Sequence, residues 1–286
     1  LNSTCVEIST CGSSNIWVAS PYFSLCAILL QHIDAIADSA NPPASYEEFV
    51  GDYFALLGER IAAAVADQNN CRERRRLYGR KPLQSVFTRD CIERACDIDD
   101  GGARYNWVEC SFVGLANFAD SLKVIREEVF TSREFDFPRL KELLDSDFAG
   151  QEAIRQKFLN LHPKYGLNDA AVDGEVSRLM HFITAECAKH KMLPDDSHFI
   201  PGVFCWTMHQ RLGAECRATP DGRKAGFAFA DGAGPAQGRE KLGPTAAIQS
   251  VTSWDHTPMI GGSAFNMKFT RALFDDPTGI AKLKQL

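Results

Sequence analysis

Cys5-Val6-Glu7 places a thiol and a carboxylate one residue apart, so in an extended segment both side chains lie on the same side. A sulfur and an acid–base group held together in this way can act on one substrate. The same spacing also fits a buried cysteine beside a surface glutamate, so the pair does not define a site by itself. Asp99-Asp100-Gly101-Gly102-Ala103-Arg104-Tyr105-Asn106 carries more information. Two glycines ahead of Arg-Tyr-Asn predict close backbone packing around a fixed polar cluster, with a helix end leading into a strand. In Arg217 to Gly226, Pro220-Asp221-Gly222 is a turn, because proline presets φ and glycine accepts a positive one. Arg217 and Arg223 flank it and can bind carboxylates in two-pronged fashion, in the fold or on a substrate. A structural turn is the simpler role. His209 precedes that turn and is within reach of a site, although a satisfied structural histidine is the simpler reading.

Other chemistries find no support. Neither Gly-x-Gly-x-x-Gly nor a Gly-Lys-Ser/Thr phosphate loop occurs, and Gly-x-Ser-x-Gly is absent. The ten cysteines are scattered, with no Cys-x-x-Cys pair and no His-x-x-x-His partner, so no structural zinc site is expected. Free thiols in a reducing cytosol are the simplest state for them. Net charge is −6 and the pI about 5.7, so no basic field points to nucleic acid or acidic lipid. Apolar runs such as Leu25 to Leu30 fall far short of the ~20 residues of a membrane span. The expectation is a cytoplasmic protein with neither nucleic-acid nor membrane partners.

Elements that would position these residues follow from periodicity and caps. Ser45-Tyr46-Glu47-Glu48 is a capping box, after which Phe49, Tyr53, Leu56, Leu57, Ile61 and Val65 recur at helical spacing. Helices are further expected over Ser85–Cys96, Val113–Phe130 and Asp173–Lys191. Another begins at Asp136 with Pro138 in its first turn and Leu140, Leu143 and Leu144 along its apolar stripe. Beyond Pro194, short apolar runs such as Phe199-Ile200 and Val203 to Trp206 alternate with glycine-rich turns, and Ala230–Gly238 reads as an ordered loop. Helices interleaved with short buried strands argue for an α/β architecture without an internal linker.

Taken together, the segments resemble the glycyl radical enzymes, the superfamily of pyruvate formate-lyase and the radical dehydratases. The matching strings are Cys5-Val6-Glu7, Gly101 to Asn106, Gly114 to Leu122, Tyr165 to Val172, Ala218 to Gly226, Ala230-Asp231-Gly232 and Phe265 to Phe269. The resemblance implies a ten-stranded α/β barrel with a helix-rich exterior. Residues 1–286 would form one partial domain, the C-terminal part of that barrel. It implies a thiyl radical at Cys5 and a general acid–base role for Glu7, with no bound cofactor and no metal. In the family a glycine in an Arg-Val-x-Gly-Tyr-like loop stores the radical after a radical S-adenosylmethionine activase installs it. No such string occurs here. The first and last residues look cut, so the expectation is an internal fragment, silent by itself, of a homodimeric enzyme acting on a small molecule.

A Cys-x-Glu arrangement marks the dehydratases, decarboxylases and amine and sulfonate lyases among similar enzymes. Pyruvate formate-lyase uses two adjacent cysteines, whereas Thr4 and Val6 flank Cys5 and Cys11 is distant. Formate acetyltransfer is therefore the disfavoured alternative, beside a truncated remnant without activity. Diol-dehydrating relatives carry a His-Asp pair where a gapless count finds Val18 and Ala19. That departure argues against glycerol or propanediol and leaves substrate-binding residues unassigned.

Overall fold

The computed structural model describes residues 9–17, 21–275 and 277–286. The chain runs β1 (Ser14–Trp17), β2 (Tyr22–Ser24), α1 (Leu25–Ala37), α2 (Tyr46–Tyr78) and α3 (Pro82–Val86). There follow β3 (Tyr105–Glu109), β4 (Ser111–Val113), α4 (Leu115–Ile125), α5 (Phe137–Asp145), α6 (Glu152–Asn160) and α7 (Ala170–Ala188). The last elements are β5 (Lys191–Met192), β6 (Ser197–Ile200), α8 (Met208–Ala214), α9 (Pro244–Val251) and α10 (Pro277–Leu283).

Local chemistry starts the helices as the sequence predicts. The Ser45 hydroxyl accepts the Glu48 N–H at 3.2 Å, and Glu48 Oε2 reaches back to the Ala44 N–H at 2.7 Å, one residue beyond the usual box partner. α2 then buries Phe49, Tyr53, Leu57, Ile61 and Val65 along one stripe. Asp136 caps α5 by accepting the Arg139 N–H, and Asp169 caps α7. The helix expected over Ser85–Cys96 does not form. α3 ends at Val86, and turns follow in which Asp90 and Ala95 take positive φ. Competing side chains explain the break: Asp97 accepts from the Ser85 hydroxyl and from the Lys81 N–H, folding the segment back on itself.

The strands pair in parallel, each added beside the one before it. β1 pairs with β3 and β3 with β6, while β5 closes on β6 in antiparallel fashion. Past a break, β2 and β4 repeat the first pairing, with Phe23 stacked on Phe112 at 4.8 Å. The third line continues as well, since Phe112 N–H donates to Gly202 O and Val203 pairs in parallel with Ser263. Parallel strands added successively to one edge with helical crossovers between them are how an α/β barrel is wound.

The helices α1, α2, α4, α5 and α7 cover one face. There Tyr53 packs on Phe118 at 4.7 Å, Phe49 stacks on Phe137 at 5.3 Å, and the Tyr53 hydroxyl donates to Leu25 O. Val108 and Phe199 of the sheet join the same core. Among the described residues no helix is long and apolar enough to cross a membrane.

Candidate functional site

Cys5 and Glu7 lie outside the described residues, as do Val18 and Ala19. The segment that follows the Cys-x-Glu pair enters β1 through a tight turn: Ser14 Oγ accepts the Thr10 N–H at 3.1 Å and donates to Thr10 O at 2.9 Å. Alternation sends Asn15, Trp17, Asn106, Val108 and Phe199 to the helix side, where Trp17 lies under the Arg75 guanidinium at 3.9 Å. The opposite face carries Tyr105, Trp107 and Glu109 of β3, flanked in register by Ser14 and Ile16 and by His198 and Ile200. Trp107 Nε1 donates to Glu109 Oε1 at 2.7 Å, and the Tyr105 and Trp107 rings approach to 6.0 Å. Glu109 is wholly buried. A buried carboxylate fixed by the Trp107 indole beside the Tyr105 ring is suited to orienting a polar substrate. The sequence signal for it is a glutamate closing the strand-like run Tyr105-Asn106-Trp107-Val108.

The two glycines of the Asp99–Asn106 string do what close packing demands. A Cβ on Gly102 would stand 2.3 Å from Cys96 O, so only glycine fits. Asp99 is gripped by Lys81 at 2.9 Å and by Asn15 at 3.0 Å, and Asn106 ties Ala103 O to Asp195. This cluster fixes the N-terminal end of β3, and with it the aromatic face.

Three of the remaining strings converge on a fourth, α4, whose Asn117, Asp120 and Ser121 are buried among Leu115, Ala116, Phe118, Ala119 and Leu122. Asn117 Nδ2 donates to Asp221 Oδ2 at 2.8 Å while its Oδ1 accepts the Ala230 N–H at 2.7 Å. Ser121 Oγ accepts the Asp221 N–H, and Asp120 Oδ1 accepts the Tyr165 N–H at 2.8 Å. One turn of helix thus docks the Thr219 turn, the Ala230 loop and the Tyr165 loop. Burial raises the Asp120 carboxyl to about 7, against the pull of Lys164. Three polar side chains within an apolar helical stripe were the available signal for this junction.

The two arginines of the turn are structural. Arg217 is paired with Asp34 and Asp145. Arg223 is buried beneath its own loop and donates to Phe227 O at 2.6 Å and Lys224 O at 3.0 Å. His209 sits at the start of α8 with Nδ1 3.5 Å from Cys205 Sγ, a contact the sequence reading did not foresee. Burial pushes the Cys205 thiol up to about 12. Among the described residues all nine cysteines, Cys205 included, are free of disulfides.

Comparison with known proteins places these features. The pyruvate formate lyase-like family model matches residues 1–213, and the glycine radical model matches 229–286. The chain is 36% identical over 208 residues to the probable dehydratase YbiW of Escherichia coli (strain K12), covering 70% of this chain and 26% of that protein. It is 31% identical over 241 residues to trans-4-hydroxy-L-proline dehydratase of Clostridioides difficile, covering 84% and 30%. Its structure superposes on the glycerol-bound, B12-independent glycerol dehydratase of Clostridium butyricum with a TM-score of 0.91 and 30% identity. That match covers 98% of this chain and 37% of the dehydratase chain. The chain thus spans about a quarter to two-fifths of the proteins it matches. Parallel strands wound in sequence, motif strings gathered on α4, and both family matches lead to one assignment: this chain belongs to the pyruvate formate lyase-like family of glycyl radical enzymes.

Proposed function

We propose that the protein carrying this chain is a glycyl radical lyase in which Cys5 bears the thiyl radical and Glu7 moves the proton. The observation that carries the reading is the Cys-x-Glu pair immediately ahead of β1 in a chain of this family. The activating glycyl radical, installed by a radical S-adenosylmethionine activase, supplies the unpaired electron. Cys5 sulfur takes a hydrogen atom from a substrate carbon, forming S–H and a carbon radical. The adjacent carbon–heteroatom bond then breaks, and Glu7 relays the proton that lets the departing group leave neutral, as water in a dehydration. The product radical recovers the hydrogen atom from the Cys5 thiol, which restores the thiyl.

The substrate class is a small organic molecule whose leaving group sits next to the abstracted hydrogen. The dehydratases among the relatives support this reaction over formate acetyltransfer. Glu109, Trp107 and Tyr105 would form part of the wall against which that substrate is oriented. A cytoplasmic homodimer is the assembly we expect. The test is electron paramagnetic resonance and turnover on the full-length, anaerobically activated protein. A glycyl doublet in wild type, with turnover lost in Cys5→Ala and Glu7→Gln, supports the reading. Turnover surviving Cys5→Ala would exclude it.

A further inference from the structure

Cys205, His209 and Asp231 bring three metal-binding atoms into one small triangle, far from the Cys5 segment in sequence. Cys205 Sγ lies 3.2 Å from Asp231 Oδ1 and 3.5 Å from His209 Nδ1, and the remaining edge, Nδ1 to Oδ1, is 3.9 Å. A tetrahedral Zn²⁺ with bonds of about 2.0–2.3 Å needs its ligand atoms roughly 3.3–3.6 Å apart. The three atoms are within a few tenths of an ångström of that requirement. Thiolate, imidazole and carboxylate also form a donor set that suits a borderline-soft divalent ion.

The surroundings are those of an oriented ligand set. The Gly232 N–H donates to Cys205 Sγ at 3.2 Å, a bond that stabilises a thiolate. Asn266 Nδ2 holds the second Asp231 oxygen at 2.7 Å, which turns Oδ1 towards the sulfur. Gly232 takes φ +57°, and a Cβ there would stand 2.3 Å from Ala264 O, so the backbone that delivers both Asp231 and the N–H requires glycine. Cys205 and His209 are four residues apart at the entry to α8, which fixes their spacing, and the carboxylate arrives from the glycine-rich loop. The neighbouring Trp206 is exposed, so the cluster lies near the surface.

We propose that Cys205, His209 and Asp231 form a binding site for a zinc-class divalent cation, with a fourth position open to solvent. Binding replaces the thiol proton that otherwise bridges Cys205 to Asp231: the S–H bond breaks, an S–metal bond forms, and the proton leaves to water. The assignment of these ligands does not depend on the role proposed for Cys5. Its three well-held ligands would tie the start of α8 to the glycine-rich loop when the ion is bound.

Cobalt(II) titrated anaerobically into the chelator-treated full-length protein, without activation, reports the ligands directly. One equivalent should bind with a sulfur-to-cobalt charge-transfer band and the intense visible bands of a four-coordinate ion, and zinc should displace it. Cys205→Ser should abolish the charge-transfer band, and Asn266→Ala, which removes only the support of Asp231, should weaken binding by about 10- to 100-fold. A charge-transfer band that survives Cys205→Ser, or wild-type chain that takes up no cobalt with sulfur character, overturns the proposal. Should Cys205→Ser fail to fold, zinc X-ray absorption on wild type decides, with one sulfur in the coordination sphere expected and none refuting the site.

Discussion

Replacing Arg223 tests whether the loop of the Pro220 turn is held by one buried guanidinium. Its Nη1 reaches Phe227 O, Lys224 O and Gly213 O at 2.6, 3.0 and 3.4 Å. Nη2 reaches Arg217 O at 2.5 Å and Cys216 O at 3.4 Å, Nε reaches Thr219 Oγ1 at 3.2 Å, and the plane lies over the Phe229 ring at 4.5 Å. Two of these bonds are short and a third is of ordinary length, and hydrogen bonds to a charged group contribute about 1.5–3 kcal/mol each. Arg223→Met keeps the stem and strands the carbonyls. The cavity beside Gly222 and Arg223, about 360 Å³, lets water reach part of the gap, so the full sum will not be lost. We expect Arg223→Met to cost about 3–5 kcal/mol. Arg223→Lys retains the charge but cannot span both sides of the loop, and should cost about 2 kcal/mol. Urea unfolding of the 286-residue chain, followed by circular dichroism, measures both. A loss below about 1 kcal/mol for Arg223→Met, or a lysine variant as stable as wild type, refutes the argument that a planar fork holds this loop.

Two further outcomes follow from other parts of the fold. Asp120 is held near 7 when folded and titrates near 4 when unfolded, so between these values the folded chain keeps a proton that the unfolded chain has released. Stability should therefore fall as pH rises through that window, by up to roughly 4 kcal/mol, and level off above it. Asp120→Asn, which keeps an acceptor for the Tyr165 N–H, should flatten that slope in unfolding curves taken across the window, and an unchanged slope would refute it. At the head of α2, Ser45→Ala removes the acceptor for the Glu48 N–H and should cost about 1 kcal/mol, read as a lowered Tm. No change in Tm would mean that Glu48 alone closes the cap.

Most helices were legible because their signals are local: Ser45 and Glu48, Asp136 with Pro138, and the Val176 to Cys187 stripe each lie within a few turns of what they specify. The segment Ser85–Cys96 misled because its fate is decided by Asp97, a side-chain acceptor beyond the expected helix. Strands were less visible. β1, β3 and β6 are only four or five residues long, and their partners are remote in sequence. For the site, Cys5 and Glu7 are assigned through resemblance alone, and they lie outside the described residues. The Cys205, His209 and Asp231 grouping escaped because its carboxylate comes from a separate loop, and only folding joins a Cys-x-x-x-His spacing to it. The arginines around Pro220 were ambiguous in sequence, since a two-pronged donor serves a backbone or a ligand equally well. Burial settles Arg223 as a backbone clamp.

The winding of the sheet also constrains how the chain reaches its native state. Ser14 must find Tyr105, and Trp107 must find His198, each across about ninety residues, and closing a loop of that length costs roughly 4 kcal/mol of chain entropy before a ladder bond is gained. Helices form locally and far faster than such contacts. α2 and α7 should therefore be present, as native-like but unanchored hairpin-scale structure, while β1 still waits for its neighbours. During that interval the strand edges stay unpaired and sticky, so crowding by other copies of the chain competes directly with correct closure.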